Sequence, residues 1–310
     1  MAAPFAAISR NPATKEGTLH VAGSGAWRFF AHDSSGGELL LEAAHPGVFP
    51  LPEASPRWTR FELETPEGRI PVAERQLPMA GGYNFRDIGG FAGVDGKHVA
   101  WGKLFRTDDM ASLTKADCAY LASIPLVTVV DFRTETEKAD APDKFPESVV
   151  NALHYPIAPG FLNPEGSTKQ YADSDDFMLG IYHDLVLDEG ITATYRRFFN
   201  HVQNAANLPL SFHCAAGKDR TGFAAALVLF SLGVDKEAIL ADYEASNAYL
   251  GDKYAAIIAT YPDQSGLYIV KPAFLMEALS LIDAKYGSME RYLTQALDID
   301  IAAMRALFLC

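Results

Sequence analysis

Apolar and polar side chains alternate along much of the first 75 residues, and this period of two predicts β-strands. The alternation is clearest over residues 58–64. A turn with proline at its second position and glycine at its fourth follows this segment. A further run over residues 69–72 completes a predicted hairpin. The runs 27–30 and 38–42 flank the polar loop 33–37 and predict a second hairpin.

The strand pattern ends near residues 75–82, where Pro78 and the pair Gly81-Gly82 interrupt it. No helical period occurs before this point. We therefore expect a β-rich N-terminal domain or extension over residues 1–75, followed by a second domain over residues 76–310.

Strands and helices alternate in the second part of the chain. Residues 126–130 form a β-branched run that is typical of a strand covered on both faces, and residues 210–212 predict another short buried strand. Apolar residues at helical spacing predict a helix over residues 191–202. The apolar segment 223–232 predicts a helix buried on all sides that stops at Gly233. We expect an α/β architecture with a helical C-terminal half.

Several connections in this part have their own signals. Residues 94–97 predict a tight turn, and Asp235 can cap a helix. Further helices are predicted around residues 274–282 and 289–297. Residues 155–187 form a connection that is long for a simple loop, so it is either a lid over a pocket or an ordinary packed helix.

The composition is that of a folded globular protein, with 49% hydrophobic and 21% charged residues. The net charge of −13 argues against nonspecific binding of nucleic acid or of an anionic membrane, because both need a positive protein surface. A small positive pocket within an acidic protein remains compatible with it. The longest apolar run, residues 223–230, is far shorter than a membrane span, so we expect no stable membrane insertion.

The three cysteines are Cys118, Cys214 and Cys310. They are an odd number and lie far apart, so we expect neither a disulfide framework nor a four-ligand zinc site. The chain does not start with a basic segment followed by a long apolar one, so no signal peptide is evident. The reducing cytoplasm is the expected location, although a chain trimmed of a leader, or secreted without one, would start in the same way.

Residues 213–222 combine several side chains that are suited to binding an anion, in the order His-Cys-Ala-Ala-Gly-Lys-Asp-Arg-Thr-Gly. It lies between the predicted short strand and the predicted buried helix. A strand that turns into a helix N-terminus forms a concave loop of N–H groups that favours an anion. Gly217 and the small Ala215 and Ala216 let the backbone approach a ligand closely. Arg220 presents a planar fork that matches two oxygens of a phosphate.

Cys214 lies at the mouth of this loop, where the same donors would stabilise its thiolate and make it a nucleophile at neutral pH. Taken alone, Cys214 is better explained as a buried, inert thiol, as most intracellular cysteines are. The combination of His-Cys, Gly, Arg and Thr at these offsets is too specific to arise often by chance. The segment therefore predicts a phosphate site with a reactive cysteine.

The pattern His-Cys-x5-Arg-Thr, in which x5 stands for five residues, resembles the signature loop of the cysteine-dependent phosphatases. The longer form, HCxxGKDRTG, resembles the atypical, largely microbial branch of tyrosine and phosphoinositide phosphatases. The resemblance implies a central, mostly parallel sheet flanked by helices. It covers roughly residue 83 to the C-terminus, on the segments 84–90, 104–107, 129–133, 242–247 and 286–288.

By this resemblance, Cys214 attacks phosphorus to form a phosphocysteine, while the loop amides and Arg220 stabilise the charge on the phosphoryl oxygens. Thr221 would hydrogen-bond the sulfur and ease its departure, and His213 would orient the cysteine from behind. No metal and no cofactor are required. The phosphate-binding residues would be Ala215, Ala216, Gly217, Lys218 and Thr221.

The sequence departs from the wider superfamily at the general acid, because it has no Trp-Pro-Asp tripeptide. Resemblance to the Lys-Asp-Arg subgroup favours Asp219 and Asp131, acting together or in alternation. The alternative for Asp131 is a structural ion pair with Arg133. Asp143 is a weaker candidate on a predicted loop. The residues expected to tie the loop to the scaffold are Asn84, Arg86 and Asp87.

Lys218 bears on the substrate, because positive charge beside a bound phosphate suits a second phosphate group, as in phosphoinositide phosphatases. The alternative is a solvated lysine. The expected partners are phosphorylated protein, phosphoinositide or inositol phosphate, with no nucleic acid, and no oligomeric state is favoured. Two other functions stay open: a phosphate-binding module without turnover, and another thiol enzyme such as an arsenate reductase or a sulfur transferase.

Overall fold

The computed structural model describes residues 5–32, 37–51, 58–160 and 171–310. In the described chain, strands alone precede residue 75, and they form two antiparallel sheets with the orders β1-β2-β5 and β4-β3-β6-β7. The strands are β1 (Phe5–Arg10), β2 (Gly17–Ala22), β3 (Trp27–Ala31), β4 (Leu39–Ala43), β5 (Gly47–Pro50), β6 (Phe61–Thr65) and β7 (Gly68–Val72).

Alternating side chains of these strands pack into one apolar core. In β6, Phe61 and Leu63 are buried, whereas Glu62 and Glu64 lie on the outer face and pair with Arg69. Both predicted hairpins are confirmed, because β6 pairs with β7 and β3 pairs with β4. Of the loop predicted between β3 and β4, residues 33–36 lie outside the described residues.

A five-stranded sheet lies at the centre of the rest of the chain, in the order β11-β10-β12-β9-β8. Neighbouring strands run parallel, except that β8 is antiparallel to β9. The expected α/β fold with a mostly parallel sheet is therefore confirmed. The strands are β8 (Arg86–Asp87), β9 (Leu104–Thr107), β10 (Thr128–Asp131), β11 (Asn151–His154) and β12 (Leu210–His213).

Helices surround this sheet, and no helix of the described residues is both long and apolar enough to cross a membrane. The α-helices are α1 (Lys115–Ser123), α2 (Glu135–Asp140), α3 (Ser174–Leu187), α4 (Glu189–Val202), α5 (Arg220–Ser231), α6 (Lys236–Thr260), α7 (Pro272–Tyr286), α8 (Met289–Arg291) and α9 (Ile301–Phe308). Short 3₁₀ segments are Val94–Gly96, Ala205–Asn207 and Pro262–Leu267, and Tyr292–Ala296 is a π-helix.

The helices predicted from apolar spacing are confirmed. The apolar side chains of α4 are buried, and α5 is buried along almost its whole length. Gly233 follows α5 with a φ of +74°, the left-handed conformation expected of a glycine after a helix. The Asp235 side chain caps α6 by accepting a hydrogen bond from the Glu237 amide.

The long connection 155–187 ends in a packed helix. The inner face of α3 is buried through Met178, Ile181, Tyr182, Leu185 and Val186, so the packed-helix alternative holds for residues 174–187. Residues 161–170 of the same connection lie outside the described residues.

Buried polar contacts join the N-terminal strands to α1. Lys15 Nζ donates to Asp117 Oδ1 at 3.0 Å. Glu74, just after β7, accepts from both Arg10 and the Tyr120 hydroxyl. Burial raises the pKa of Glu74, and the charge of Arg10 and these two hydrogen bonds only partly oppose the shift. We retain 1–75 and 76–310 as a proposed division of the chain.

Candidate active site

The segment 213–222 links the end of β12 to the start of α5, at the carboxyl edge of the parallel strands. Gly217 at its centre has a φ of +66°, which side chains disfavour. A Cβ atom there would also lie 2.3 Å from the carbonyl oxygen of Thr107 on β9. The loop therefore requires glycine at this position, because the backbone turns tightly against the neighbouring strand.

Two scaffold side chains hold carbonyl oxygens of the loop. Asn84 Nδ2 donates to the Ala216 carbonyl at 3.0 Å, and Arg106 Nη2 donates to the Gly217 carbonyl at 2.7 Å. In a trans peptide the next N–H points away from the carbonyl, so these bonds turn the following N–H groups toward the inside of the loop. The backbone N–H groups of residues 215–219 donate to no acceptor in the described chain, which leaves them available to an anion.

Arg106 belongs to a buried set of charges that could not be predicted from the sequence. Asp242 on α6 accepts from Arg106 Nη1 at 2.6 Å and from Arg86 Nη1 at 3.2 Å. Ser246 Oγ accepts from Nη2 of both arginines. Arg86, which was expected to tie the loop to the scaffold, therefore acts indirectly, through α6 residues that also hold Arg106.

Asp87, the next residue of β8, takes part in a different interaction. Its carboxylate accepts from the amides of Gly89 and Gly102 at 2.8 and 2.7 Å, and burial raises its pKa to about 7 despite these bonds. Adjacent residues of a strand point to opposite faces, so Asp87 holds the turn after β8 while Arg86 supports α6 and the loop. The expectation that Asp87 ties the loop to the scaffold is wrong.

Cys214 is buried at the end of β12, with 2% of the residue exposed. His213 Nδ1 lies 3.2 Å from the Cys214 carbonyl oxygen, so the imidazole contacts the cysteine backbone as an orienting residue would. Thr221 Oγ1, on the first turn of α5, is buried and has no hydrogen-bond partner among the described residues. Its proton is therefore available for the interaction with sulfur that the resemblance implies.

Arg220 begins α5 and is fixed by Glu137, a residue that was not among the predicted site residues. Nη1 and Nη2 donate to the two Glu137 oxygens at 2.8 and 2.7 Å, and Nη1 also donates to the carbonyls of Phe132 and Ile157. Glu137 is itself held by the Thr134 amide, in the capping box that begins α2. Burial raises the pKa of Glu137, but the hydrogen bond and charge of Arg220 lower it below its usual value, so the pair stays ionised.

Asp219 and Lys218 form a pair within the loop. Lys218 Nζ lies 2.6 Å from Asp219 Oδ2, and only 4% of Lys218 is exposed, so the alternative of a solvated lysine is wrong. Asp219 Oδ1 accepts from the Tyr182 hydroxyl at 3.1 Å, and that hydroxyl also bonds the Tyr243 hydroxyl at 2.6 Å. Burial, together with the neighbouring Tyr243 and Asp219, raises the pKa of Tyr182 well above its usual value, so Tyr182 stays protonated as a donor.

Asp131 lies at the end of β10, where its carboxylate pairs with Arg133. Arg133 Nε and Nη2 donate to the two Asp131 oxygens, each at 3.0 Å, which is the ion pair that was the alternative for Asp131. Asp143 accepts from Arg133 Nη2 at 2.6 Å and from the Met110 amide at 2.9 Å. Burial raises the pKa of Asp143, but His213, the amide and Arg133 lower it below its usual value.

A cavity of about 500 Å³ opens beside the loop. Asp219, Arg220 and Glu137 form its polar part, and α3 contributes much of an apolar wall. Asp219 therefore reaches the cavity, whereas Asp131, Asp143 and the buried Cys214 are not among the residues that line it. The apolar wall consists of Pro159, Phe177, Met178, Ile181, Leu267 and Tyr268.

Among the described residues, one cluster brings possible metal ligands together: atoms of Asp131, Asp143 and His213 lie within 4.8 Å of one another. The guanidinium of Arg133 contacts both carboxylates, so the protein itself supplies a positive charge there. We assign no metal site to this cluster.

A parallel α/β sheet that ends in a cysteine-containing, amide-lined loop, closed by an arginine at a helix start, is the arrangement expected of the phosphatases that the loop resembles. The sequence model of the tyrosine phosphatase family matches residues 77–309. The chain therefore belongs to the tyrosine phosphatase family and is a phosphatase.

Related proteins carry names of the same kind. A protein of Cupriavidus necator, provisionally named a tyrosine-protein phosphatase, is 34% identical over 239 residues, 73% of this chain and 85% of that protein. The triple specificity protein phosphatase PtpB of Mycobacterium tuberculosis is 29% identical over 268 residues, 73% of this chain and 94% of PtpB. A solved complex of P. aeruginosa TpbA with phosphotyrosine is 17% identical at a TM-score of 0.31, covering 68% of this chain and 89% of that one.

Proposed function

We propose that this chain hydrolyses phosphomonoesters in two steps through a phosphocysteine on Cys214. The observation that carries the proposal is the loop itself, in which the N–H groups of residues 215–219 lack an acceptor in the described chain and Arg220 is held by Glu137. Such a cradle suits the three equatorial oxygens of a transferring phosphoryl group. The buried thiol beside it supplies the nucleophile.

In the first step, the Cys214 thiolate attacks phosphorus on the side opposite the ester oxygen. The S–P bond forms, the P–O bond breaks, and the leaving oxygen takes the electron pair and a proton from Asp219. Glu137 occupies the Nη1–Nη2 edge of Arg220, which leaves the Nε–Nη2 edge of the guanidinium for two phosphoryl oxygens.

In the second step, water attacks the phosphorus of the phosphocysteine. The Asp219 carboxylate accepts a proton from the water, the new O–P bond forms, and the S–P bond breaks to release the thiolate of Cys214. The Thr221 hydroxyl donates a hydrogen bond to the departing sulfur. Inorganic phosphate then leaves, and both side chains return to their starting protonation states.

We expect Asp219→Asn to slow cleavage of aryl phosphates with poor leaving groups by about a hundredfold. Activated aryl phosphates should be affected far less, because their leaving oxygen departs without a proton. The measurement is kcat/KM across a series of leaving groups, since this quantity reports the steps up to phosphorylation of the cysteine.

Asp131→Asn is the matched control, because it makes the same change of carboxylate to amide at the Arg133 ion pair, outside the cavity lining. We expect it to change kcat/KM for all leaving groups by a similar factor. A strong leaving-group dependence in Asp131→Asn, with none in Asp219→Asn, would assign the acid to Asp131 instead.

The cavity supports two classes of substrate. Its apolar wall fits the ring of a phosphotyrosine, and we propose phosphotyrosine proteins as the first class. Lys218 supports phosphoinositides as the second class. Its ammonium group donates to the Asp219 carboxylate, and a second phosphate could replace that carboxylate as the partner of Lys218. The name of the relative PtpB, a triple specificity phosphatase, agrees with such breadth.

We expect phosphate release from phosphotyrosine peptides and from phosphoinositides in the presence of a chelator, because the thiolate, the loop amides and Arg220 supply the nucleophile and the charge. Lys218→Met replaces the charged side chain by an apolar one of similar length. It should lower kcat/KM for phosphoinositides about tenfold more than for phosphotyrosine peptides, the value of a charge-assisted contact. An unchanged ratio would remove the lipid proposal, and folded protein that released no phosphate from either class would reject the proposed function.

A further inference from the structure

A second cavity, of about 240 Å³, lies where the N-terminal strands meet the rest of the chain. Its lining comes from β1, from β7 and the segment after it, and from the connection between β8 and β9. None of the lining residues belongs to the loop 213–222 or to the cavity beside that loop. The function proposed above therefore makes no use of this cavity.

The lining of this cavity is mostly apolar, and its ionisable side chains are basic. They are Arg75 and His98, and no carboxylate of the described chain is among the lining residues. This distribution is the reverse of that of the whole chain, in which acidic residues outnumber lysine and arginine by 39 to 26. A mostly apolar concave surface with a few polar groups is typical of a small-molecule site. The apolar side chains include Ala6, Ile8, Ile70, Val72 and Trp101.

Arg75 keeps one edge of its guanidinium open to a ligand. Nη1 donates to the Asp87 carbonyl oxygen at 3.0 Å, and Cζ lies 4.3 Å and 4.8 Å from the ring centres of Phe91 and Trp101. Nε and Nη2 donate to no acceptor in the described chain, and neither is a fully enclosed atom. The Nε–Nη2 edge offers two parallel N–H donors, which match the two oxygens of a planar carboxylate.

The buried arginines of this protein have a different environment, because each of them contacts a carboxylate. These pairs are Arg10 with Glu74, Arg86 and Arg106 with Asp242, Arg133 with Asp131, and Arg220 with Glu137. Arg75 is partly buried and forms no such pair among the described residues. Burial lowers the pKa of Arg75, and the charges of Asp242 and Asp87 oppose this shift only in part. A carboxylate in the cavity would give Arg75 the kind of partner that the buried arginines have.

We propose that this cavity binds a small carboxylate with a short apolar tail. The carboxylate oxygens accept hydrogen bonds from Nε and Nη2 of Arg75, and the tail lies against apolar side chains of β1 and β7. The cavity has the volume of about eight water molecules at about 30 Å³ each, so a ligand of about eight non-hydrogen atoms, such as hexanoate, suits it. The site needs residues from both parts of the chain, and it goes beyond the proposed function without depending on it.

The test is an NMR titration of the whole chain with hexanoate, followed on the indole N–H signals of the three tryptophans. Trp101 reports the cavity, because it lines it and its Nε1 donates to the Pro71 carbonyl at 3.2 Å. Its signal is the one that disappears in Trp101→Phe. We expect hexanoate to shift this signal saturably with a Kd on the order of 1 mM. Trp27 does not line the cavity, so its signal should stay in place.

Two ligand analogues separate the contributions of charge and tail. Hexan-1-ol has the same tail without the charge, and it should bind at least about tenfold more weakly, the value of a charge-assisted contact. Butanoate has the charge and a tail shorter by two methylenes, and it should bind roughly tenfold more weakly than hexanoate.

Arg75→Met tests the anchoring residue, because it removes the guanidinium and keeps an apolar side chain. Affinity for hexanoate should fall at least about tenfold, whereas affinity for hexan-1-ol should change little. Arg69→Met is the matched control. Arg69 Cζ also lies close to an aromatic ring, 4.2 Å from the centre of Phe30, but this residue does not line the cavity. Its replacement should leave the affinity for hexanoate unchanged.

The comparison of hexanoate with hexan-1-ol on the wild-type chain decides the proposal if Arg75→Met fails to fold. Equal affinity for the two compounds overturns it, and so does a folded Arg75→Met that binds hexanoate as tightly as the wild type. A Trp101 signal that does not move at hexanoate concentrations well above 1 mM overturns it as well. Hexanoate that shifts the backbone signals of residues 215–219 but not Trp101 would place the anion in the loop and reject this site.

Discussion

Replacing Cys214 by serine is expected to stop phosphate release, with kcat falling at least roughly a thousandfold. Serine has almost the same shape, but its hydroxyl is not ionised near neutral pH and is a poor nucleophile without a base. The loop amides and Arg220 are unchanged, so the variant should still bind an oxyanion. The measurements are phosphate release from an aryl phosphate and calorimetric titration with tungstate.

Cys118→Ser is the control for this substitution. Cys118 is a free, partly exposed thiol on α1, outside the loop and its cavity, so this variant should keep full activity. Turnover that survives in Cys214→Ser, or that is lost equally in Cys118→Ser, would refute the assignment of the nucleophile.

Arg220→Lys is expected to lower kcat/KM for aryl phosphates by about a hundredfold to a thousandfold. Lysine keeps the positive charge but not the planar fork, so it cannot bond Glu137 with one edge and two phosphoryl oxygens with another. Affinity for tungstate should fall as well, because the same fork holds the oxyanion. Steady-state kinetics and calorimetry measure the two effects.

Glu137→Gln provides the comparison for Arg220→Lys. The amide oxygen still accepts one hydrogen bond, so Arg220 should keep part of its orientation and the loss of kcat/KM should be smaller than in Arg220→Lys. A loss in Arg220→Lys of less than about tenfold, in a folded protein, would show that charge alone suffices and that the fork has no role in the transition state.

Elements that depend on local patterns could be predicted from the sequence. The apolar spacing along residues 191–202 is enough to define α4, and the glycine at 233 marks where α5 stops. The N-terminal hairpins follow from alternation and turn residues in the same way. The strand order of the central sheet could not be predicted in this way, because pairing between strands distant in sequence leaves no local pattern.

The loop residues could also be predicted, because they are consecutive, whereas their supports are not. Glu137 meets Arg220 across 83 residues, and Arg106 meets Gly217 across 111 residues. The spacing of Thr134 and Glu137 is a capping-box signal that locates a helix start, but it does not say which cation the carboxylate faces. The burial of Lys218 was also not predictable, because it depends on how the loop packs.

The N-terminal strands lie outside the family match, which begins at residue 77. The buried residues of their core end at Val72, and those of the other two cores begin at Leu77 and at Ile88. Trp58 of the N-terminal part packs against the core that begins at Leu77. These observations support the division at residues 75 and 76, which stays a prediction. Limited proteolysis that cleaves between the two parts would test this division.

The most direct test of the nucleophile is to quench turnover of an activated aryl phosphate by rapid denaturation and to locate phosphate on peptides by mass spectrometry. We expect a phosphoryl group on the peptide that carries Cys214, and none on that peptide from Cys214→Ser. Asp219→Asn should accumulate more of the adduct, because its second step lacks the base. Full turnover with no phosphoryl group on Cys214, or with the adduct on another residue, would contradict the mechanism proposed here.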